Sequence, residues 1–288
     1  MKRLWKIFVS VIAVIMATVA CFSFTACTGE DIVQVEVKVQ LYNSTEGEFY
    51  TDEEVTLTVD LYRHLAPKTC GAIINYINEG YYNDTFFYKV DGQTSQIMVG
   101  DYKMVDGEIE LNAIKPTLDK AEFTYGGVKG SNLTNVKGAI GLWRSYFAND
   151  SSTYKTTSNA MYSGRATWYM PVTEIPSYDG YFCIFAQIDL ENANNVTALN
   201  AIDGLLSNSN HYDEYVVYYT GTYDATQVNN DYGLTAHIVS ADEFNENDPD
   251  IFVAEGQQLV SYNKRTIRVP NTAVDGNVKA MIKSITVK

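Results

Sequence analysis

Residues 57–69, Leu57-Thr58-Val59-Asp60-Leu61-Tyr62-Arg63-His64-Leu65-Ala66-Pro67-Lys68-Thr69, combine a strand pattern with the start of a helix. Leu57, Val59 and Leu61 alternate with polar residues, which is typical of a strand with one buried face. Ala66-Pro67-Lys68-Thr69 predicts a helix start, because proline in the first helical turn lacks only an N–H that has no helical partner there. The stretch therefore predicts a strand that leads into a helix.

The same patterns extend in both directions from this stretch. Residues 33–41 alternate in the same way, and a polar turn separates them from the strand at 55–61, so the two strands predict a hairpin. Gly80 is predicted to end the first helix, because glycine readily adopts the left-handed conformation found after helix ends. Toward the C-terminus, apolar spacing predicts strands at 85–90, 139–143, 167–172, 181–188, 214–219 and 234–239, a second helix at 195–207, and a final edge strand at 278–287.

Residues 1–26 are predicted to be an export signal that is absent from the mature protein. Three basic residues precede an apolar run from Ile7 to Ala20. The segment ends in Phe24-Thr25-Ala26-Cys27, which resembles a lipobox, so we expect Cys27 to be diacylated and to become the new N-terminus. The prediction is a lipoprotein anchored outside the bacterial cell membrane, with a short tether at 27–32 and one domain at 33–288.

Two alternatives to this processing are open. Cys21 also follows an alanine, although cleavage there would leave the apolar stub Phe22-Ser23-Phe24. The run from Ile7 to Phe24 is 18 residues, which is just long enough for an uncleaved membrane anchor. Both alternatives place the rest of the chain outside the cytoplasm.

Composition and residue counts argue against several classes of function. The net charge of −14 disfavours nucleic acid and anionic membrane surfaces as partners. Beyond the signal, Cys70 and Cys183 are too few for a disulfide framework and lack metal-ligand spacing, so both are predicted core residues. The three histidines, His64, His211 and His237, are predicted to lie on the surface. We expect no metal, nucleotide or other cofactor.

Several segments resemble the cyclophilin family of peptidyl-prolyl cis-trans isomerases. They are Leu57–Tyr62, Ala66–Thr69, Glu79-Gly80-Tyr81-Tyr82-Asn83-Asp84-Thr85-Phe86-Phe87, Lys137–Leu142, Asp179-Gly180 and Ile282–Ile285. The resemblance implies a mostly β fold, a closed eight-stranded antiparallel barrel capped by two helices. It covers about 33–207 and 278–288, so residues 208–277 are predicted to be an insertion before the last strand.

The reaction that the resemblance implies is rotation about the peptide bond that precedes proline. Its barrier is about 20 kcal/mol, because the C–N bond has partial double-bond character. Catalysis needs an apolar slot for the proline ring and a hydrogen-bond donor for the twisted amide. The family places an arginine in Phe-His-Arg-Val, and this chain reads Phe87-Tyr88-Lys89-Val90. Lys89 is therefore the candidate catalytic donor, although its ammonium lacks the planar fork of a guanidinium.

The resemblance also assigns the side chains of the proline slot. Met98 falls at the position of a family glutamine, with Gln96 as its substitute if the loop shifts, and Tyr169 takes the place of the aromatic floor. The complete predicted substrate-binding set is Gln96, Met98, Trp143, Tyr169, Tyr178 and Phe182. Without the resemblance, the aromatic residues would be predicted as barrel core and Lys89 as a surface lysine at a strand end.

Three functions are compatible with these features. The preferred one is an isomerase that assists the folding of exported proteins at the cell surface and binds proline-containing peptides or unfolded chains. The alternative is a non-catalytic, cyclophilin-like lipoprotein that binds peptides or proteins, because positions that are arginine, glutamine and often histidine in the family are occupied here by Lys89, Met98 and Phe182. A carbohydrate-binding lipoprotein ranks last and is suggested only by 22 tyrosines and three tryptophans.

Overall fold

A computed structural model describes residues 31–43, 48–106, 108–113, 115, 122–124, 127–128, 133–144, 164–180, 182–221, 234–247, 264–270 and 280–288. In these ranges the protein is mostly β, with two helices and a curled antiparallel sheet. The expected export signal, the apolar anchor, Cys21 and Cys27 lie outside the described residues. None of the helices in the described ranges is long and apolar enough to cross a membrane.

The elements follow one another in an order close to the predicted one. Within the described residues the α-helices are α1 (Pro67–Asn78) and α2 (Ala193–Ser207), and Pro176–Tyr178 form one turn of 3-10 helix. The strands are β1 (Val33–Asn43), β2 (Glu48–Leu61), β3 (Lys89–Val90), β4 (Gln96–Val99), β5 (Tyr102–Val105), β6 (Glu108–Leu111), β7 (Phe123–Thr124), β8 (Gly127–Val128), β9 (Ala139–Arg144), β10 (Gly164–Pro171), β11 (Ile184–Ile188), β12 (Tyr212–Thr220), β13 (Thr235–Ser240), β14 (Lys264–Pro270) and β15 (Met281–Val287).

The hairpin predicted from alternating residues is confirmed. β1 and β2 pair antiparallel, with Val33 opposite Leu61 at the open end. The apolar members of both strands face the core, and Val35, Leu57 and Leu61 are 1% exposed or less. The period-two pattern therefore identified the buried face correctly.

One seven-stranded sheet contains most of the predicted strands, in the order β15-β1-β2-β11-β9-β10-β4. All of its pairings are antiparallel. The last strand returns to the edge of this sheet and pairs with β1, as predicted. The sheet curls around an apolar core, to which α1 contributes Cys70 and Ile73 and α2 contributes Leu199 and Ile202.

The segment Thr85–Tyr88 lies between the two end strands of the curled sheet. On one side, Tyr88 and Met98 of β4 exchange backbone hydrogen bonds of 2.8 and 2.9 Å. On the other side, the N–H of Phe87 donates to the carbonyl of Ala280, just before β15, at 2.8 Å. The structure thus shows a curled sheet with a bridging segment, and the closed eight-stranded barrel stays a prediction.

The continuous strand predicted at 85–90 is wrong. Only Lys89–Val90 forms a strand, and three earlier residues make single bridges to β5, β15 and β4. Because the segment changes partner from one residue to the next, no continuous hydrogen-bond ladder forms along it.

Residues of the predicted insertion form a second sheet, in the order β13-β12-β14-β3. β12 and β13 lie where alternation predicted strands, whereas β14 was not predicted. β14 joins the insertion to β3, with Ile267 opposite Val90 and Arg268 opposite Lys89. The insertion therefore pairs with the segment that carries the candidate catalytic lysine.

A distant carboxylate caps α1. Ala66 offers no side-chain acceptor to the first turn, and Glu122 accepts from the backbone N–H of Lys68 at 2.5 Å and of Thr69 at 2.9 Å. The carboxylate satisfies two N–H groups that have no helical partner, and its charge suits the positive end of the helix dipole. The predicted helix start is confirmed, but its cap comes from elsewhere in the chain.

The two cysteines beyond the signal are core residues, as predicted. Cys70 is 0% and Cys183 is 1% exposed, and both are free thiols. Burial, and after it the charge of Glu122, raises the pKa of Cys70 to about 12. This thiol is therefore protonated and shielded at neutral pH.

Candidate functional site

Of the four aromatic residues predicted for the proline slot, three surround the fourth, Phe182. The ring centroid of Phe182 is 4.7 Å from that of Tyr178, 5.2 Å from that of Tyr169 and 5.6 Å from that of Trp143. Met98 lies beside them, because it is directly opposite Tyr169 in the pairing of β10 with β4. We call Trp143, Tyr169, Tyr178 and Phe182 the aromatic cluster.

The aromatic cluster is enclosed by protein. Tyr169 and Met98 are 0% exposed, Trp143 and Phe182 are 3% exposed, and Tyr178 is half-buried. The enclosed residues belong to one buried apolar cluster that also contains side chains of the second sheet, namely Val217, Tyr219, Ile267 and Val269. The side chains expected to grip a proline ring are therefore packed against other side chains.

The hydroxyl of Tyr169 has a buried partner. It donates to Oδ1 of Asn135 at 2.5 Å, and Asn135 is 1% exposed. Asp179 fixes Asn135 in turn, since its Oδ1 accepts from the backbone N–H at 2.6 Å and from Nδ2 at 2.8 Å. These hydrogen bonds orient the Tyr169 ring, and no pattern in the sequence marked Asn135 as part of the site.

Gly141 allows the Tyr169 ring to lie flat against β9. A Cβ atom at position 141 would be 2.3 Å from Cε1 of Tyr169 and 2.5 Å from its hydroxyl oxygen. Such distances are shorter than any allowed non-bonded contact, so the ring position depends on the missing side chain. The aromatic cluster is thus built on one glycine of the neighbouring strand.

Gln96 is buried next to Met98, and its amide nitrogen contacts side chains of the chain itself. Gln96 is 1% exposed, and its Nε2 donates to Oε1 of Gln93 at 2.9 Å and lies 4.0 Å from Sδ of Met98. Its own Oε1 has no hydrogen-bond partner among the described residues. This amide points into the protein, where an unsatisfied acceptor has a free-energy cost.

The ammonium group of Lys89 contacts α2. Its ammonium nitrogen donates to Oδ1 of Asp203 at 2.5 Å and to the hydroxyl of Ser207 at 3.0 Å. Lys89 is 2% exposed, so its interpretation as a surface lysine is wrong. No local sequence pattern indicates this pair, because its members are 114 residues apart.

Strand alternation explains why Lys89 faces α2. Phe87 packs in the core between the sheet and the helices, whereas Tyr88 and Val90 pack in the apolar cluster with the aromatic residues. Successive side chains of an extended chain point to opposite faces, so Lys89 points to the same side as Phe87. The structure brings the slot residues together and directs the candidate donor to the other side of the chain. Its catalytic role stays a prediction that no described contact supports.

A second cation, Arg265 of β14, contacts the apolar cluster and was not identified from the sequence. Its Nη2 donates to the hydroxyl of Tyr102 at 2.7 Å and lies 3.7 Å from Oδ2 of Asp101. Asp101 also accepts from the hydroxyl of Tyr88 at 2.5 Å and from that of Thr167. Burial, followed by the charge of Asp101, raises the pKa of Tyr88 well above its ordinary value. This buried network links β14, a strand of the insertion, to the curled sheet.

The remaining polar residues do not suggest other chemistry. His64 is exposed, while His211 and His237 are half-buried. His237 stacks on Tyr218 with ring centroids 5.0 Å apart, and none of the three lies in the aromatic cluster. In the described part of the chain, no three His, Cys, Asp or Glu side chains converge in a way that could hold a metal ion.

Comparison with known proteins identifies the family. The profile of the family described as "Cyclophilin type peptidyl-prolyl cis-trans isomerase/CLD" matches residues 48–217, which is more than half of the chain. The chain therefore belongs to this family, which confirms the resemblance. The match includes the three N-terminal segments that suggested it and ends inside β12, so most of the second sheet lies beyond it.

Two crystal structures of a cyclophilin type peptidyl-prolyl cis-trans isomerase from Cryptosporidium parvum are similar to this chain. One, determined in the presence of the dipeptide Ala-Pro, is 14% identical with a TM-score of 0.34, and the match covers 57% of this chain and 84% of that one. The other is 15% identical with a TM-score of 0.36 and covers 58% and 83%. No curated protein matches the sequence.

Proposed function

We propose that this cyclophilin-type chain is an extracytoplasmic binding protein that holds segments of other polypeptides without accelerating proline isomerisation. The observation that carries the proposal is the burial of the residues expected to form the proline slot. Met98 and Tyr169 have no exposed surface, and Trp143 and Phe182 have almost none. A proline ring needs an open apolar slot, and here that space is filled from within the chain.

The position of Lys89 supports the same proposal. Catalysis of amide rotation requires a donor that is pre-organised at the twisted amide. The ammonium of Lys89 instead donates to Asp203 and Ser207 on the far side of its strand. Moving it to the aromatic cluster would break an ion pair whose ammonium is buried and whose carboxylate is partly exposed, which costs about 1–3 kcal/mol.

Isomerase activity is the second candidate, and one observation favours it. All four aromatic residues predicted for the slot come together around Phe182, beside Met98. If the second sheet moved away from this cluster, an apolar slot of the predicted composition would open. In that case the chain would assist the folding of exported proteins.

A coupled proline-isomerisation assay on residues 28–288 separates the two candidates. Uncatalysed exchange takes tens of seconds or longer at 25 °C. We expect the protein to leave this rate unchanged, whichever residue precedes proline in the peptide. Folding is checked by circular dichroism on the same sample. An acceleration that Phe182→Ala abolishes, while the surface variant Glu191→Gln retains it, would overturn the proposal in favour of the isomerase.

The lipid anchor belongs to the proposal as well and has its own test. We expect an alkyne analogue of palmitate to label the chain in a bacterial host, and Cys27→Ala to remove the label. Cys21→Ala is the matched control and should leave the label in place. Loss of label in Cys21→Ala alone would move the lipid to the rival cysteine, and no label in the unaltered chain would exclude lipidation.

A further inference from the structure

The first described residue, Asp31, is held against the turn between β2 and α1. Its carbonyl oxygen accepts a hydrogen bond from the backbone N–H of His64 at 3.0 Å and lies 2.7 Å from Nδ1 of the same histidine. Two residues later Val33 begins β1, opposite Leu61 at the end of β2. We call residues 31–32 and 62–68 the entry corner, because the chain enters its first strand there.

A lipid on Cys27 would lie close to the entry corner. Cys27 is four residues before Asp31, and an extended chain advances at most about 3.6 Å for each residue, so their Cα atoms can be no more than about 14 Å apart. The acyl chains of such a lipid insert into the bilayer. The contacts between Asp31 and His64 therefore bring residues 62–68, which are distant from the anchor in sequence, near the membrane surface as well.

The entry corner exposes an apolar side chain. Ile32 is 43% exposed, which is the largest exposed fraction among the large apolar residues that the structure describes. One exposed isoleucine is ordinary on a protein surface, but this one lies next to the residue that His64 holds. Contact with lipid removes apolar surface from water, which is favourable by about 25 cal/mol for each Å². Ile32 is therefore suited to contact with the lipid interface.

The entry corner is less acidic than the chain as a whole. Its nine residues hold two cations, Arg63 and Lys68, and one anion, Asp31, whereas the chain carries a charge of −14. Lys68 is exposed and Arg63 is half-buried. Glu122 adds a buried carboxylate beside Lys68, and that carboxylate accepts from backbone N–H groups of α1. Because anionic headgroups repel an acidic chain, electrostatics favours an approach to the membrane through the entry corner.

We propose that the entry corner is the membrane-facing surface of this protein, where Ile32 contacts the lipid interface and Arg63 and Lys68 lie near the lipid phosphates. This inference rests on the lipid anchor of the proposed function and adds the orientation of the domain. Residues toward the far end of β2 are then held away from the bilayer. Glu54, for example, is seven residues from Leu61, which is about 23 Å along the strand.

Fluorescence quenching on the lipidated chain tests this orientation in vesicles of phosphatidylcholine and phosphatidylglycerol. A dye is attached to Lys68→Cys or, as the matched control, to Glu54→Cys, since both positions carry exposed charged residues. The thiols of Cys70 and Cys183 are buried and shielded from the dye. Lipids with a nitroxide on the headgroup are the quencher. We expect about fivefold stronger quenching at position 68, because position 54 lies about 23 Å along β2 from the entry corner.

A second variant tests the contacts themselves. Ile32→Ser/Arg63→Gln removes the exposed apolar side chain and one cation, and it is expected to lower the quenching at Lys68→Cys about twofold, because fewer groups then hold the corner to the lipids. Unchanged quenching in this variant would overturn the contacts. Equal or stronger quenching at position 54 of the otherwise unaltered chain would overturn the orientation.

Failure of the lipid anchor is distinguishable from failure of the orientation. A chain that takes up no palmitate analogue and does not stay with the vesicles would overturn both. A chain that takes up the analogue and stays with the vesicles, but shows equal quenching at the two positions, would overturn the orientation alone. Neither result affects the isomerisation assay, which uses residues 28–288 without the lipid.

Discussion

The ammonium nitrogen of Lys89 lies 2.5 Å from Oδ1 of Asp203, with the lysine side chain 2% and the aspartate side chain 34% exposed. The pair connects β3, an edge strand of the second sheet, to α2, which packs on the curled sheet. Lys89, which the resemblance matches to the family's catalytic arginine, thus links the two sheets through α2.

We expect Asp203→Asn to lower the free energy of unfolding by about 1–3 kcal/mol, because it leaves a buried ammonium without its counter-charge while the aspartate side of the pair is partly screened by water. Urea unfolding measures the change. Lys38→Ala, which removes an exposed pair with Glu54 at 3.5 Å, is the control and should cost less than about 1 kcal/mol. The apolar double variant Lys89→Met/Asp203→Leu should recover most of the loss. Equal effects of Asp203→Asn and Lys38→Ala would contradict the structural role of the pair.

Tyr169→Phe is expected to destabilise the protein by about 1–3 kcal/mol, because it leaves the side-chain oxygen of the buried Asn135 without its donor. Thermal and urea unfolding report the change. Tyr215→Phe is the control, since the Tyr215 hydroxyl has no hydrogen bond to any described residue, and it should be nearly neutral. A neutral Tyr169→Phe would show that water replaces the hydroxyl.

Gly141→Ala and Gly204→Ala should change stability in opposite directions. The alanine methyl at 141 would overlap the Tyr169 ring, so a loss of roughly 1–3 kcal/mol or more is expected. Gly204 lies in α2, where an added Cβ meets no atom within 4 Å, and alanine there should stabilise the helix by about 0.5–1 kcal/mol. Denaturant midpoints measured side by side test this, and a Gly141→Ala variant as stable as the unaltered protein would place the Tyr169 ring elsewhere.

The buried tyrosines predict loss of stability in alkali. Burial raises the pKa of Tyr82, Tyr88 and Tyr102 above the ordinary value near 10. The folded protein therefore holds these phenols neutral at a pH where the unfolded chain ionises them, so the stabilisation is complete below about pH 10 and falls as the pH rises further. Absorbance at the tyrosinate band should increase together with loss of near-ultraviolet circular dichroism. Ionisation of all tyrosines before unfolding would contradict their burial.

Local patterns predicted six of the seven strands of the curled sheet because those strands carry their own signals, whereas β4, at Gln96–Val99, was missed. The alternation in β1 and β2 identifies both the strand and its buried face, and Pro67 marks the first turn of α1. β14 was missed because Ile267 and Val269 give only two apolar steps in a run rich in lysine and arginine. The β5–β6 hairpin was missed although Asp106-Gly107, a strong hairpin signal, separates the residues of the two strands in the sequence.

The aromatic cluster was predicted only through the family, and its enclosure was not predicted at all. Family resemblance places Tyr169 and Phe182 at matching positions, and the structure brings them within 5.2 Å. The enclosure of the aromatic cluster depends on the pairing of β14 with β3. These two strands are far apart in the sequence, so no local pattern predicts their pairing. The orientation of Lys89 depends in the same way on the face that its short strand presents to α2.

β1 lies between β2 and β15, so that Val35 is opposite Val59 on one side and Val287 on the other. The second edge of β1 is therefore covered only after β15 has been synthesised. Until then, β1 offers unpaired backbone groups to any extended chain nearby, which is how aggregation begins. A nascent or truncated chain that lacks β15 is consequently most prone to aggregate at β1, and closing so long a loop makes the β1–β15 pairing a slow step of folding.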